Sequence, residues 1–137
     1  MSSTPVEVTR TGTRTFEATN PRGAHATIGP ETADGVFTPG ELLLAAVAAC
    51  VGVTADGLVV RRVGENARFT VHADRTKETD DAHEFATVSA ELDVDMSALD
   101  DAQREALATA VDRAVEKLCT VSRTLKKGVP VGLEIKR

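Results

Sequence analysis

Apolar residues recur along this chain with two different periods. Val6 and Val8 alternate with Glu7 and Thr9, and Arg14, Phe16 and Ala18 alternate with Thr13, Thr15 and Glu17. This period of two predicts short antiparallel strands. Thr11-Gly12 supplies a turn between them, Asn20-Pro21-Arg22-Gly23 a second, and His25 to Ile28 a third strand. Residues Gly29 to Thr38 contain two Gly, one Pro and two acids and read as an irregular loop. Phe69, Val71 and Ala73 form one further strand, and Ala86, Val88, Ala90, Leu92 and Val94 another. The acidic stretch Lys77 to Glu84 between them reads as a solvated turn. A last strand places Val131, Leu133 and Ile135 on one face.

The period changes to that of a helix twice. Thr38 is positioned as an N-cap, with Pro39 at the first helical position and Glu41 in the first turn, where the helix dipole favours an acid. From Leu42 to Val53 the helix is apolar on every side. Such a helix must be covered all round, and one layer of strands in a small protein cannot do so. Partner helices, from this chain or a second copy, complete the cover. The second helix starts near Asp100, with Gln103 as its capping-box partner. Its stripe is Leu107, Ala110, Val111, Ala114, Val115 and Leu118, and it runs into Cys119. A short helix from Thr120 to Lys127 ends at Gly128. The expected class is α+β, an antiparallel sheet with two long helices packed on it.

At 137 residues, with 42% hydrophobic and 27% charged residues, the chain has the size and balance of one globular domain, residues 1–137. A net charge of −5 disfavours a phosphate-backbone partner, and four Phe with no Tyr or Trp leave little for stacking bases, so no nucleic acid is expected. The apolar run Leu42–Val53 is shorter than a bilayer span, and Met1-Ser2-Ser3-Thr4-Pro5 lacks a charged and then apolar leader. No membrane partner and a cytoplasmic setting are the expectation. There, two thiols are more often redox-active or simply buried than a structural staple.

Those thiols are Cys50 and Cys119. Cys50 lies in the apolar helix, where cysteine also serves as a small hydrophobe. Cys119 lies where one helix ends and another begins, and unpaired amides at a helix start favour a thiolate. The two can meet only if the long helices pack side by side.

The segment Phe37-Thr38-Pro39-Gly40-Glu41-Leu42-Leu43-Leu44-Ala45-Ala46-Val47-Ala48-Ala49-Cys50 closely resembles the first cysteine motif of the OsmC/Ohr family of osmotically inducible and organic hydroperoxide resistance proteins. Cys119-Thr120-Val121-Ser122-Arg123-Thr124 resembles its second, and the likeness spans nearly the whole chain. The resemblance implies an OsmC-like fold, an intertwined homodimer, and a thiol peroxidase acting on organic hydroperoxides. The residue matching Cys50 would be peroxidatic and that matching Cys119 resolving. A dithiol reductant, lipoyl-type in some relatives, would reset the pair, and no cofactor is implied.

The family also supplies an Arg held by a Glu to ionise the thiol. Arg22 matches that arginine by motif, with an ordinary turn residue as the plainer reading and Arg14 as the fallback. The family glutamate directly follows the proline, where this chain has Gly40. Glu41 stands one step later, as in an OsmC-like branch with a Pro-x-Glu-Leu-Leu pattern. Nine residues of helix would place Glu41 and Cys50 on opposite faces, about 14 Å apart along the axis. Glu41 therefore acts through Arg22 or across a two-fold axis, or serves only the helix dipole.

His25, His72 and His83 are dispersed and no close-spaced ligand pair occurs, so no metal is expected. Asp80, Asp81, His83 and Glu84 read as a solvated loop. Asp56, six residues after Cys50, is expected to pair with Arg61 or Arg62, with orienting a group near the thiol as the second reading. The competing function is a non-catalytic OsmC-like module that holds a small apolar ligand in the dimer cleft.

Overall fold

The computed structural model describes residues 5–77, 80–81 and 83–136. The chain forms two compact units, one up to Leu44 and one from Ala45 onward. The Met1–Thr4 leader reading, and residues 78, 79 and 82 of the expected Lys77–Glu84 turn, lie outside the described residues.

The first unit holds β1 (Glu7–Gly12), β2 (Thr15–Thr19) and β3 (His25–Ile28) in the order β1-β2-β3, antiparallel throughout. The β1–β2 reversal falls at Thr13-Arg14, two residues later than the Thr11-Gly12 turn expected from alternation. A bulge between Arg10 and Gly12 absorbs the shift, and Arg14 adopts φ 55°, the left-handed region that disfavours a side chain. Arg14 is thus a turn residue, not a strand residue. The Asn20–Gly23 turn forms as expected, with the Asn20 Oδ1 accepting from the Arg22 and Ala24 amides. The loop from Gly29 folds back so that the Phe37 amide donates to the Thr27 carbonyl, and a Cβ on Gly29 would lie 3.2 Å from Val36.

α1 (Pro39–Val63) starts where Thr38-Pro39 places it. The Thr38 Oγ1 accepts from the Glu41 amide and the Glu41 Oε1 accepts from the Thr38 amide, a reciprocal capping box. The apolar run expected to end at Val53 continues helical through Leu58, Val59 and Val60 to Val63. By length and composition alone, this helix meets the requirement for a membrane span. Only 17% of its most apolar window is buried within one chain.

In the second unit, β4 (Phe69–Thr76) and β5 (Thr87–Val94) pair antiparallel from Phe69–Val94 to Thr76–Thr87. Among the described residues the strands thus fall into two sheets, of three and two strands. α2 (Asp101–Leu118) opens on the expected box, with the Asp100 Oδ1 accepting from the Gln103 amide at 2.8 Å and the Gln103 Oε1 accepting from the Asp100 amide at 2.9 Å. Ala55 and Val59 of α1 and Leu107 and Val111 of α2 form the core with Leu99, and Phe69, Leu92 and Val94 pack against it. The stripe expected on α2 is buried at Leu107 and Val111, whereas Leu118 at its end is exposed. α3 (Thr120–Lys127) ends at Gly128, whose φ of 65° satisfies the left-handed cap.

The expected last strand does not form. Val131, Leu133 and Ile135 are 95%, 88% and 76% exposed and pair with no strand among the described residues. Alternation gives a segment the side chains of a strand; only a free sheet edge gives its backbone partners.

Candidate functional site

Cys119 sits at a junction fixed by the backbone on both sides. Its amide donates to the Val115 carbonyl at 3.1 Å, closing α2, and its carbonyl accepts from the Arg123 amide at 3.0 Å, opening α3. Its extended conformation, φ −72° and ψ 98°, breaks the helix and aims the side chain inward. The residue is fully buried. Its thiol donates to the Ser122 Oγ at 3.1 Å, and the Cys50 thiol lies close enough to act on it.

Cys50 is half-buried on α1, and both cysteines are reduced. Residues 69 positions apart (119 − 50) are therefore neighbours. The Thr54 hydroxyl donates to the Cys50 carbonyl at 2.7 Å and leaves the sulfur free of that bond.

Burial pushes the Cys119 thiol up. The Ser122 hydroxyl, the Cys50 thiol and the Ser122 and Val121 amides pull it down and prevail, so it lies below the ordinary thiol value. The amides are those a helix start leaves without intrahelical partners, and they favour a negative sulfur.

An open cavity of about 410 Å³ adjoins this junction. Its walls are aliphatic, with Val47 and Val51 from α1, Ala90 and Leu92 from β5, and Leu107 and Val111 from α2. Asp112, Ser122 and Lys126 are its polar members. Ser122 thus touches both the buried sulfur and the open space. Sequence reasoning quoted Ser122 only as part of a motif; its position three residues after a cysteine that starts a helix was the signal available.

Arg22 is exposed on the β2–β3 turn, and its side chain has no partner among the described residues. Glu41 is engaged through Oε1 in the capping box, and no ion pair joins it to Arg22 among the described residues. Asp56 is exposed and pairs with neither arginine; Arg61 and Arg62 donate instead to the Gly57 and Leu58 carbonyls. No group of three metal-ligating side chains occurs among the described residues.

The OsmC-like protein family model matches residues 32–134. An uncharacterized protein of Mycobacterium tuberculosis is 40% identical over 132 residues, 96% of each chain. The organic hydroperoxide resistance protein OhrB of Bacillus subtilis superposes with a TM-score of 0.56 at 25% identity, over 96% of this chain and 97% of that one. An OsmC-like protein of Mycoplasma pneumoniae superposes with a TM-score of 0.63 at 19% identity, over 94% and 91% of the two chains, a likeness of fold alone.

Proposed function

Because the chain belongs to the OsmC-like family, we propose that it is a thiol-dependent peroxidase that reduces organic hydroperoxides through Cys50 and Cys119 in oxidative stress defence. At family level, stress-response and peroxidase-related roles already apply. One observation carries the finer reading: two free thiols, distant in sequence, lie close enough to act on one another beside an apolar cavity.

The half-buried Cys50 is the thiol that meets substrate, and the fully buried Cys119 is kept from it. The Cys50 thiolate attacks the distal oxygen of ROOH; the O–O bond breaks, the alkoxide takes a proton and leaves as ROH, and Cys50 becomes a sulfenic acid. The Cys119 thiolate then attacks the Cys50 sulfur. The S–O bond breaks, hydroxide takes up the proton lost by Cys119, and a disulfide and water result. A dithiol reductant returns both thiols by exchange through a mixed disulfide. The aliphatic cavity walls suit the hydrocarbon part of ROOH.

Arg22 is the cation proposed to favour the Cys50 thiolate, and Glu41 its anchor through the carboxylate oxygen that the capping box leaves free. Both depend on assembly. Family members are typically dimeric, and we read this chain as an intertwined homodimer. The exposed side chains of α1, with Val53 at 79%, and the exposed Val131, Leu133 and Ile135 support it. A monomer by light scattering at micromolar concentration would contradict the dimer. The cytoplasm, which keeps thiols reduced, is the proposed setting.

The test mixes reduced protein with cumene hydroperoxide and a dithiol and follows peroxide loss. Turnover is expected, and a Cys50→Ser variant as active as the parent overturns the reading. The cavity supports a second reading, a binding module for a small apolar ligand. Retention of such a ligand by a chain whose Cys50 is inert to peroxide would favour it.

A further inference from the structure

A resolving cysteine that is fully buried must still lose a proton, and it must present its lone pair to one particular sulfur. The carbonyl of Cys119 itself accepts from the Arg123 amide. The residue that answers both needs is Ser122. Its Oγ accepts the Cys119 thiol hydrogen at 3.1 Å, and the same side chain lines the open cavity. Three residues along one helical turn place the two side chains on the same side of α3. The hydrogen bond therefore fixes the rotamer of Cys119 as well as its proton.

We propose that Ser122 is a positioning residue for the resolving step: its hydroxyl orients Cys119 toward Cys50, passes the thiol proton toward the cavity, and then donates to the thiolate. A serine hydroxyl can reverse in this way because it carries one donor and two acceptor sites. Atoms balance as in the disulfide-forming step above: the S–H bond of Cys119 breaks, the Cys119–Cys50 bond forms, the S–O bond of the sulfenic acid breaks, and the released proton joins hydroxide as water. Cys50 of α1 acts on Cys119, and the titratable groups lining the cavity are Asp112 from α2 and Lys126 from α3, with Val88, Ala90 and Leu92 from β5.

The proposal rests on the peroxidase reading for the step, and the experiment separates the two. In a Cys50→Ser background, ultraviolet absorbance of the thiolate follows Cys119 against pH. Ser122→Ala is expected to move that titration to higher pH, and Ser122→Thr, which keeps the hydroxyl, to return it. An unmoved titration, or equal displacement by both variants, overturns the proposal. In the chain with both cysteines, one equivalent of cumene hydroperoxide forms the Cys50 sulfenic acid, trapped with dimedone, and mass spectrometry times its conversion to disulfide. Ser122→Ala should form the sulfenic acid at the parent rate and convert it about tenfold more slowly, the effect of one lost hydrogen bond to a charged group. Equal conversion rates overturn the proposal. A parent chain that forms no sulfenic acid overturns the peroxidase reading itself, and the titration alone then decides Ser122.

Discussion

At the start of α2, Asp100 and Gln103 each accept a hydrogen bond from the other's backbone amide, so the polar groups of the first turn are consumed internally. At the start of α3, Cys119 and Ser122 occupy the same two positions, N-cap and N3, yet no side-chain cap hydrogen bond forms. The two side chains bond to each other instead, and the Val121 and Ser122 amides act on the sulfur. The start of α1 follows the α2 pattern, with Thr38 and Glu41. Identical spacing therefore closes a reciprocal cap when oxygen fills the N-cap and leaves the two side chains bonded to each other when sulfur does. The uncommitted electrostatic field at the start of α3 is what remains for a thiolate.

The largest effect should come from removing either sulfur. Cys50→Ser and Cys119→Ser are each expected to abolish the intramolecular disulfide, and Cys50→Ser also peroxide turnover, as read by peroxide loss with a dithiol. A core change comes next and tests whether the helices must be held together to keep the sulfurs adjacent. Leu107→Ala, at a fully buried position, is expected to cost about 2–5 kcal/mol in urea unfolding. Disulfide formation should fall with it.

The caps then separate stability from chemistry. Asp100→Ala should cost about 1 kcal/mol in the same unfolding assay and leave the Cys119 titration unmoved. A displaced titration would show that the two helix starts are not independent. Glu41→Gln keeps a carbonyl oxygen for the Thr38 amide, so stability should hold within about 0.5 kcal/mol. A large loss of turnover in that variant would assign Glu41 to the site through Arg22; unchanged turnover would leave it a cap alone.

Much of this comparison was legible in the chain. Thr38-Pro39, the Asp100–Gln103 pair and the alternation of β5 are local signals, and local hydrogen bonds and period were enough to place α1, α2 and β5. The two cysteines were legible as chemistry, but their adjacency depends on how helices pack across 69 residues, which no period encodes. What failed was also nonlocal or ambiguous. The β1–β2 turn moved to Thr13-Arg14 because alternation runs unchanged through a bulge. Val131, Leu133 and Ile135 have a strand pattern and no strand, because pairing needs an edge that the pattern does not supply. α1 outran its apolar stretch because Thr54 to Gly57 interrupt composition without breaking the helix.

The smallest expected effect is on stability against pH. Folded Cys119 lies below the ordinary thiol value, first against burial and then through Ser122, Cys50 and the amides, so the folded chain binds that proton less tightly than the unfolded one. Stability should therefore rise with pH between the folded value and the ordinary thiol value, and be lost as pH falls through the folded value. Cys119→Ser should flatten this alkaline rise in a urea series. A rise of equal size without the thiol would assign it elsewhere.

The central claim is that Cys50 and Cys119 of one chain are adjacent and react as a pair. Mass spectrometry of reduced protein after one equivalent of cumene hydroperoxide tests it most directly. The account predicts a chain lighter by two hydrogens, with the peptides of Cys50 and Cys119 joined within one chain. Cys50 carrying added oxygen while Cys119 remains a free thiol would contradict it.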